Sequence, residues 1–470
     1  MSYSHIDAFV NDMYLFCATV VVFDHRFYLL YRDAGYMDAV RQIFSLTPFT
    51  FLNHFSRIVL TIVLARLMSP EHYGSFAALL VLSEVLLLPA SLGFSSSLMR
   101  LAMPLYKKQQ MDFLRGLQQV YLLSIGFFGV IFVAFVLLGF SIFSPHQLAN
   151  EHLVYLLLIV PLGALMITQS AFLLVLNKKT MSIVSRQSLF QILTLIFCVA
   201  IYLFSESLPL ATICQTLILS IALVVVYQYW LINSVIKRKC EALNTNPLNT
   251  IPLKTKAFNT KSWYQQSLVL LASGAGTVLV AKLDVLLVHH LLGAHAVSVF
   301  FPAVVITGLL MILSDAVMTN LKPLLLTSPT EKSQSAKNNI LNTMRVFWCA
   351  NTLIILSLIL AAKPLLRLYG ETQLMLGYEV LLVMLAAQLL LPLKVISSSL
   401  IKFTGNPLHN LYVLLFVTTL TVLLALYLHH DYQLLGVAIA FACGFVLGTI
   451  LRACIVVLTL KKPIASLLGF

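Results

Sequence analysis

Charge is scarce in this chain. Only 10% of its 470 residues are Asp, Glu, Lys or Arg, and just 17 are acidic. Soluble domains carry about a quarter charged residues, so a water-soluble fold is excluded. Cysteine offers no scaffold either. The seven residues (17, 198, 214, 240, 349, 443 and 454) are scattered without a CxxC or a ligand spacing; they read as reduced apolar fillers, with no disulfide framework and no metal site expected. Catalytic motifs are missing as well. There is no Walker loop, HExxH or GxSxG, so ATP is not bound by this chain alone, no cofactor is expected, and the chain does not read as an enzyme.

Apolar residues fill the space that charge leaves. They make up 60% of the chain, with a mean hydropathy of +0.94. Runs near the ~20 residues that cross a bilayer recur along the length, which makes helices the spanning element and excludes a barrel of short alternating strands. Twelve cores are expected, at 49–68, 75–98, 117–143, 152–176, 187–204, 209–236, 264–292, 297–321, 346–362, 375–400, 408–428 and 433–460. A net charge of +13 could suggest nucleic acid, but the basic residues occupy alternate loops, not one face. With Met1 taken as cytoplasmic, 24 of the 30 Lys and Arg fall on the inner side. That asymmetry places both termini inside, supports an even helix count, and leaves no nucleic-acid surface.

The most informative stretch is Leu64 to Leu101, LARLMSPEHYGSFAALLVLSEVLLLPASLGFSSSLMRL. It reads as a helical hairpin around the turn Ser69 to Gly74. Arg57 and Glu84 each lie nine residues into adjacent antiparallel helices, about 13.5 Å deep at 1.5 Å per residue. A charge at that depth costs about 2.5–3.5 kcal/mol on insertion scales. Two compatible readings follow: a mutual ion pair closing the hairpin, or a polar central cavity.

A helix ending in Ala65-Arg66-Leu67, a Pro70-Glu71-x-Tyr73-Gly74 turn, and Leu92-Gly93-Phe94 followed by Leu98 and Arg100 resemble the first hairpin of the polysaccharide transporter (Wzx-like flippase) branch of the MOP exporter superfamily. Lys282 to Leu325, with Asp284 and Leu291-Leu292-Gly293, resembles that family's second hairpin. Residues 67–76 align with 291–300 at an offset of 224. The resemblance implies an all-α polytopic membrane protein of twelve transmembrane helices in two six-helix lobes related by a pseudo-twofold, MOP/MATE-like. It implies a flippase that carries a polyprenyl-diphosphate-linked oligosaccharide, an O-antigen or other surface polysaccharide repeat, across the bacterial inner membrane by ion-coupled alternating access. Membrane lipids, a polysaccharide polymerase and chain-length proteins are the partners it implies.

The domain reading is an N-terminal extension over 1–47, six spans over 48–236, a cytoplasmic linker over 237–262, six spans over 263–460 and a tail over 461–470. The extension is either an interfacial segment or a mis-assigned start, with Met37 the alternative. Candidate cargo-binding cations are Arg57, Arg66, Arg100, Lys282, Lys322 and Lys394, because guanidinium and ammonium groups grip a diphosphate. Candidate ion-coupling carboxylates are Glu84, Asp284 and Asp315. Lys282 and Asp284, two residues apart, face different sides of their helix and are not expected to pair. Pro89, Pro161 and Pro392 are candidate hinges, since matched helix breaks in two halves point to a transporter's binding region. Arg452 reads as snorkelling to the inner interface, and Arg66 could equally snorkel outward.

A MATE-like cation or drug antiporter is the alternative, expected to favour an acidic cavity. A flippase for the peptidoglycan precursor usually has fourteen helices. A glycosyltransferase or polymerase using polyprenyl-linked sugars would need a longer outer loop than the roughly dozen residues available here.

Overall fold

The computed structural model describes residues 34–143, 153–205, 209–242, 260–315, 317–318, 334–404 and 407–460. The start of the predicted extension, residues 243–259 of the predicted linker, Lys322 and the predicted tail lie outside these residues. The Arg100 side chain is also outside the description.

Nearly every described residue is helical. The first half comprises α1 (Ala34–Leu67), α2 (Pro70–Ala90), α3 (Phe94–Lys107), α4 (Met111–Phe143), α5 (Leu156–Val175), α6 (Lys179–Ile183), a π-helical turn over Val184–Leu189, α7 (Phe190–Ser205) and α8 (Leu210–Ala242). The second half comprises α9 (Thr260–Thr307), α10 (Gln334–Leu360), α11 (Ala362–Tyr369), α12 (Glu371–Gln388), α13 (Leu391–Thr404) and α14 (Pro407–Leu460). Among the described residues, eight helices are long and apolar enough to cross a membrane, or nine if Glu371–Gln388 and Leu391–Ile401, bent by 48°, form one span. Two of the eight, Lys282–Asp315 and Leu408–Thr459, are long runs that turn at Gly293 and Gln433 respectively.

Local chemistry explains where the helices start and stop. Ser69 caps α2, its hydroxyl accepting from the His72 N–H at 3.3 Å, with Pro70 in the first turn and Glu71 beside the positive helix terminus. The single span expected over 75–98 is two helices. Pro89 has no N–H to give to the ladder. After Ser91 the chain enters the left-handed region at Leu92 (φ 50°) and Gly93 (φ 72°) before α3 begins. By contrast, α5 runs unbroken through Pro161, which falls near its start and not at mid-span. Pro392 is the second residue of α13, directly after the 48° bend. The two prolines therefore do not share a setting.

Packing sets the halves against each other. The chief partner of α2 is α9, in the other half of the chain, and not α1. α4 turns Leu123, Phe127 and Phe135 outward, 66–76% exposed, a face suited to lipid.

Candidate functional site

Three charged side chains converge where α1, α2 and α9 meet. Arg57 Nη2 lies 3.3 Å from Glu84 Oε1, and Lys282 Nζ lies 2.5 Å from Glu84 Oε2. One carboxylate thus holds two cations, one from each half of the chain, and the triad carries a net positive charge. Its side chains are 24%, 28% and 23% exposed, so the cluster is not sealed and an incoming group can reach it. Asp284 turns back on its own helix, where Oδ1 accepts from the Val285 N–H at 2.8 Å.

Above the triad, toward the end that the charge pattern assigns to the exterior, the halves are joined at two further points of α1, Thr61 and Arg66. The Thr61 hydroxyl and the Tyr369 hydroxyl are 2.9 Å apart, with Tyr369 2% exposed. Arg66 Nε donates to the Leu368 carbonyl at 2.7 Å, and Nη2 donates to the Arg367 carbonyl. These carbonyls end α11, where unsatisfied acceptors and the helix dipole favour a cation. Arg66 therefore does not snorkel freely outward; it caps a helix of the second half.

The start of α2, where a turn was expected up to Gly74, meets the turn inside α9 with which it aligns in the sequence. Gly74 lies against the backbone of Ala294 so closely that a Cβ there would overlap the Ala294 carbonyl. Beside them Tyr73 meets Phe301 edge-on, ring centroids 6.2 Å apart. Gly293 has φ 82° and ψ −179°, a conformation essentially confined to glycine. From this contact to Glu84 is about ten residues, so α2 and the first part of α9 run antiparallel for about 15 Å. Arg57, Thr61 and Arg66, four and five residues apart, form a seam of about the same length.

The remaining candidates lie elsewhere. Lys394 belongs to α13, where Nζ sits 4.1 Å from the centroid of the Phe445 ring. Arg452 is 7% exposed and does not snorkel: Nε donates to Asn410 Oδ1 and Nη1 to the Gly448 carbonyl, both at 2.9 Å. Asp315 is exposed and within electrostatic reach of Arg186. Sequence reasoning missed Thr61 and Tyr369; neither is charged, and no periodicity in one helix reveals its partner in another.

The whole arrangement matches solved structures across most of its length. An inward-facing multidrug resistance MATE transporter of the MOP superfamily superimposes with a TM-score of 0.64 at 13% identity, covering 87% of this chain and 96% of that one. The fold is that of the MOP superfamily transporters. The lipid II flippase MurJ in an inward closed conformation gives 0.60 at 14% identity, covering 90% and 89%. A MOP superfamily transporter from Pyrococcus furiosus, described by the reverse polarity of its binding pocket, gives 0.60 at 14%, covering 92% and 98%. No family model matches the sequence, and no curated protein matches it. In this fold, α2 and α9 supply the chief contact between the two halves, and the triad lies on that boundary.

Proposed function

We propose that the chain is a flippase for a polyprenyl-diphosphate-linked oligosaccharide, carrying the sugar head from the cytoplasmic to the outer leaflet while the lipid tail stays in the bilayer. The observation that carries this reading is the triad: cations from both halves of the chain gathered on one carboxylate, net positive and partly open. A diphosphate competes with Glu84 for Arg57 and Lys282, and Arg57 can bind it through two parallel N–H groups. Once Glu84 is displaced, its link from α2 to Lys282 is gone. Above it, Thr61–Tyr369, the Arg66 cap, the contact of Gly74 with Ala294 and the packing of α2 on α9 still join the halves. Cargo binding and opening toward the exterior are coupled through that exchange, with Glu84, Asp284 or Asp315 as the ion-coupling carboxylate. A lipid II flippase among the structural neighbours supports this reading.

A cell lacking the protein tests this. Loss of surface polysaccharide with lipid-linked intermediates retained inside supports the flippase. The second reading, a cation or drug antiporter, draws on the multidrug transporter among the neighbours and on the carboxylate at the centre of the triad. It predicts greater susceptibility to cationic dyes with normal surface glycan.

A further inference from the structure

A second pair of cations lies away from the seam, where α13 packs on α14. Phe445, Gly448 and Arg452 follow one another at i, i+3 and i+7 and so share one face of α14. Lys394 covers the first of them, 4.1 Å from the ring centroid. Arg452 folds back toward the same place, because Nη1 donates to the carbonyl of Gly448, one turn before it. Gly448 makes room for this: a Cβ there would stand 3.0 Å from Nη1. Both cations therefore sit along the one face of α14 that carries Phe445, Gly448 and Arg452.

Among the described residues, neither cation has a carboxylate partner. The ion pairs among the described residues involve other cations. Arg452 bonds to two neutral acceptors, Asn410 and Gly448, which engage two of its five N–H donors. A buried guanidinium on neutral acceptors, with a half-buried ammonium over the neighbouring Phe445 ring, is unfavourable until an anion joins them. The remaining guanidinium donors suit a planar or tetrahedral oxyanion, and an ammonium beside them adds a point charge. Arg452 is about eight residues from Leu460, or about 12 Å along the helix, a depth that a lipid headgroup drawn into the protein can reach.

We propose that this pocket between α13 and α14 binds a phosphate-type oxyanion, with Lys394 and the outer edge of Arg452 as its donors. Its source is either an anionic phospholipid headgroup or a soluble phosphate, and the proposal does not rest on the cargo reading.

The test uses the full chain in phosphatidylcholine nanodiscs, in an Arg57→Ala background that silences the triad. Thermal unfolding is followed as phosphatidylglycerol is added to the bilayer or inorganic diphosphate to the buffer. At least one probe should raise the midpoint. Lys394→Gln should weaken that probe by about tenfold or more, and Lys394→Arg should restore it. A response to phosphatidylglycerol alone assigns the site to a headgroup; a response to diphosphate assigns it to a soluble anion. No response to either probe, or an equal response in Lys394→Gln, overturns the proposal.

Discussion

Lys282 and Glu84 lie 2.5 Å apart across the boundary between the two halves of the chain, while Glu84 also holds Arg57 at 3.3 Å. The carboxylate occupies the place that an anionic cargo would take. Replacing it with a neutral isostere should separate its two roles. Glu84→Gln leaves Arg57 and Lys282 facing each other without their shared anion, so the empty protein should unfold at a lower temperature. The same variant should bind inorganic diphosphate about tenfold more tightly, as expected when a competitor worth about 1.4 kcal/mol is removed. A thermal-shift titration reads both effects. Weaker diphosphate binding in Glu84→Gln would remove Glu84 as a competitor.

The two arginines of α1 should differ in kind. Arg57→Ala should abolish glycan export at normal protein level, with Arg57→Lys recovering part, because lysine keeps the charge but loses the two-pronged grip. Arg66→Ala removes a helix cap of about 0.3–1 kcal/mol and should leave export within about fivefold of wild type. Surface-glycan staining beside an immunoblot compares them. Equal loss in both variants would mean that the seam, not the triad, carries the phenotype.

Gly74 lies against the Ala294 backbone, and in the proposed function this contact is the closure at the outer end of the bundle. Gly74→Val puts atoms where the Ala294 carbonyl now lies. Overpacking of this kind costs about 1–3 kcal/mol, enough to shift a closed–open balance by about 5- to 150-fold. In a cysteine-free background carrying Thr61→Cys, an impermeant maleimide added from outside should label the Gly74→Val protein far faster. Thr61 itself is 1% exposed. Unchanged labelling would contradict the assignment of this contact as the closure.

Gly293 offers a test of conformation without crowding. A Cβ there meets nothing within 4 Å, yet φ is +82°. Gly293→Ala should therefore destabilise by about 1–3 kcal/mol through backbone strain alone, seen as a lower unfolding temperature. A stability equal to wild type would mean that the turn adopts another conformation.

Much of this was legible in the residue order, and the exceptions have physical causes. Apolar runs marked the helices, but the turn expected over Ser69 to Gly74 is helical from Pro70, because Ser69 caps it and Pro70 fixes φ in its first turn. Counting nine residues into two antiparallel helices put Arg57 and Glu84 at one depth, and the structure brings them together. Lys282 was placed by its spacing only negatively, as unable to reach Asp284; its partner lies on a helix far away in sequence, which no periodicity encodes. Pro161 and Pro392 differ in setting: Pro161 is the sixth residue of an unbroken helix, past its first turn, whereas Pro392 is the second residue of a helix that follows a 48° bend. Arg452 looked like a snorkelling residue because depth alone suggested it. Gly448 and Asn410 give it neutral partners that hydropathy does not register.

The central claim is that Arg57 and Lys282 together receive a diphosphate. The most direct measurement is binding of a polyprenyl-diphosphate sugar to the purified chain in nanodiscs, comparing wild type with the Arg57→Ala/Lys282→Ala double variant. The account predicts saturable binding that inorganic diphosphate competes away and that falls by about a hundredfold or more in the double variant, the loss of two charge-assisted contacts. Equal affinity in both proteins, or a wild type that binds cationic dyes at the triad and not the diphosphate lipid, would contradict it.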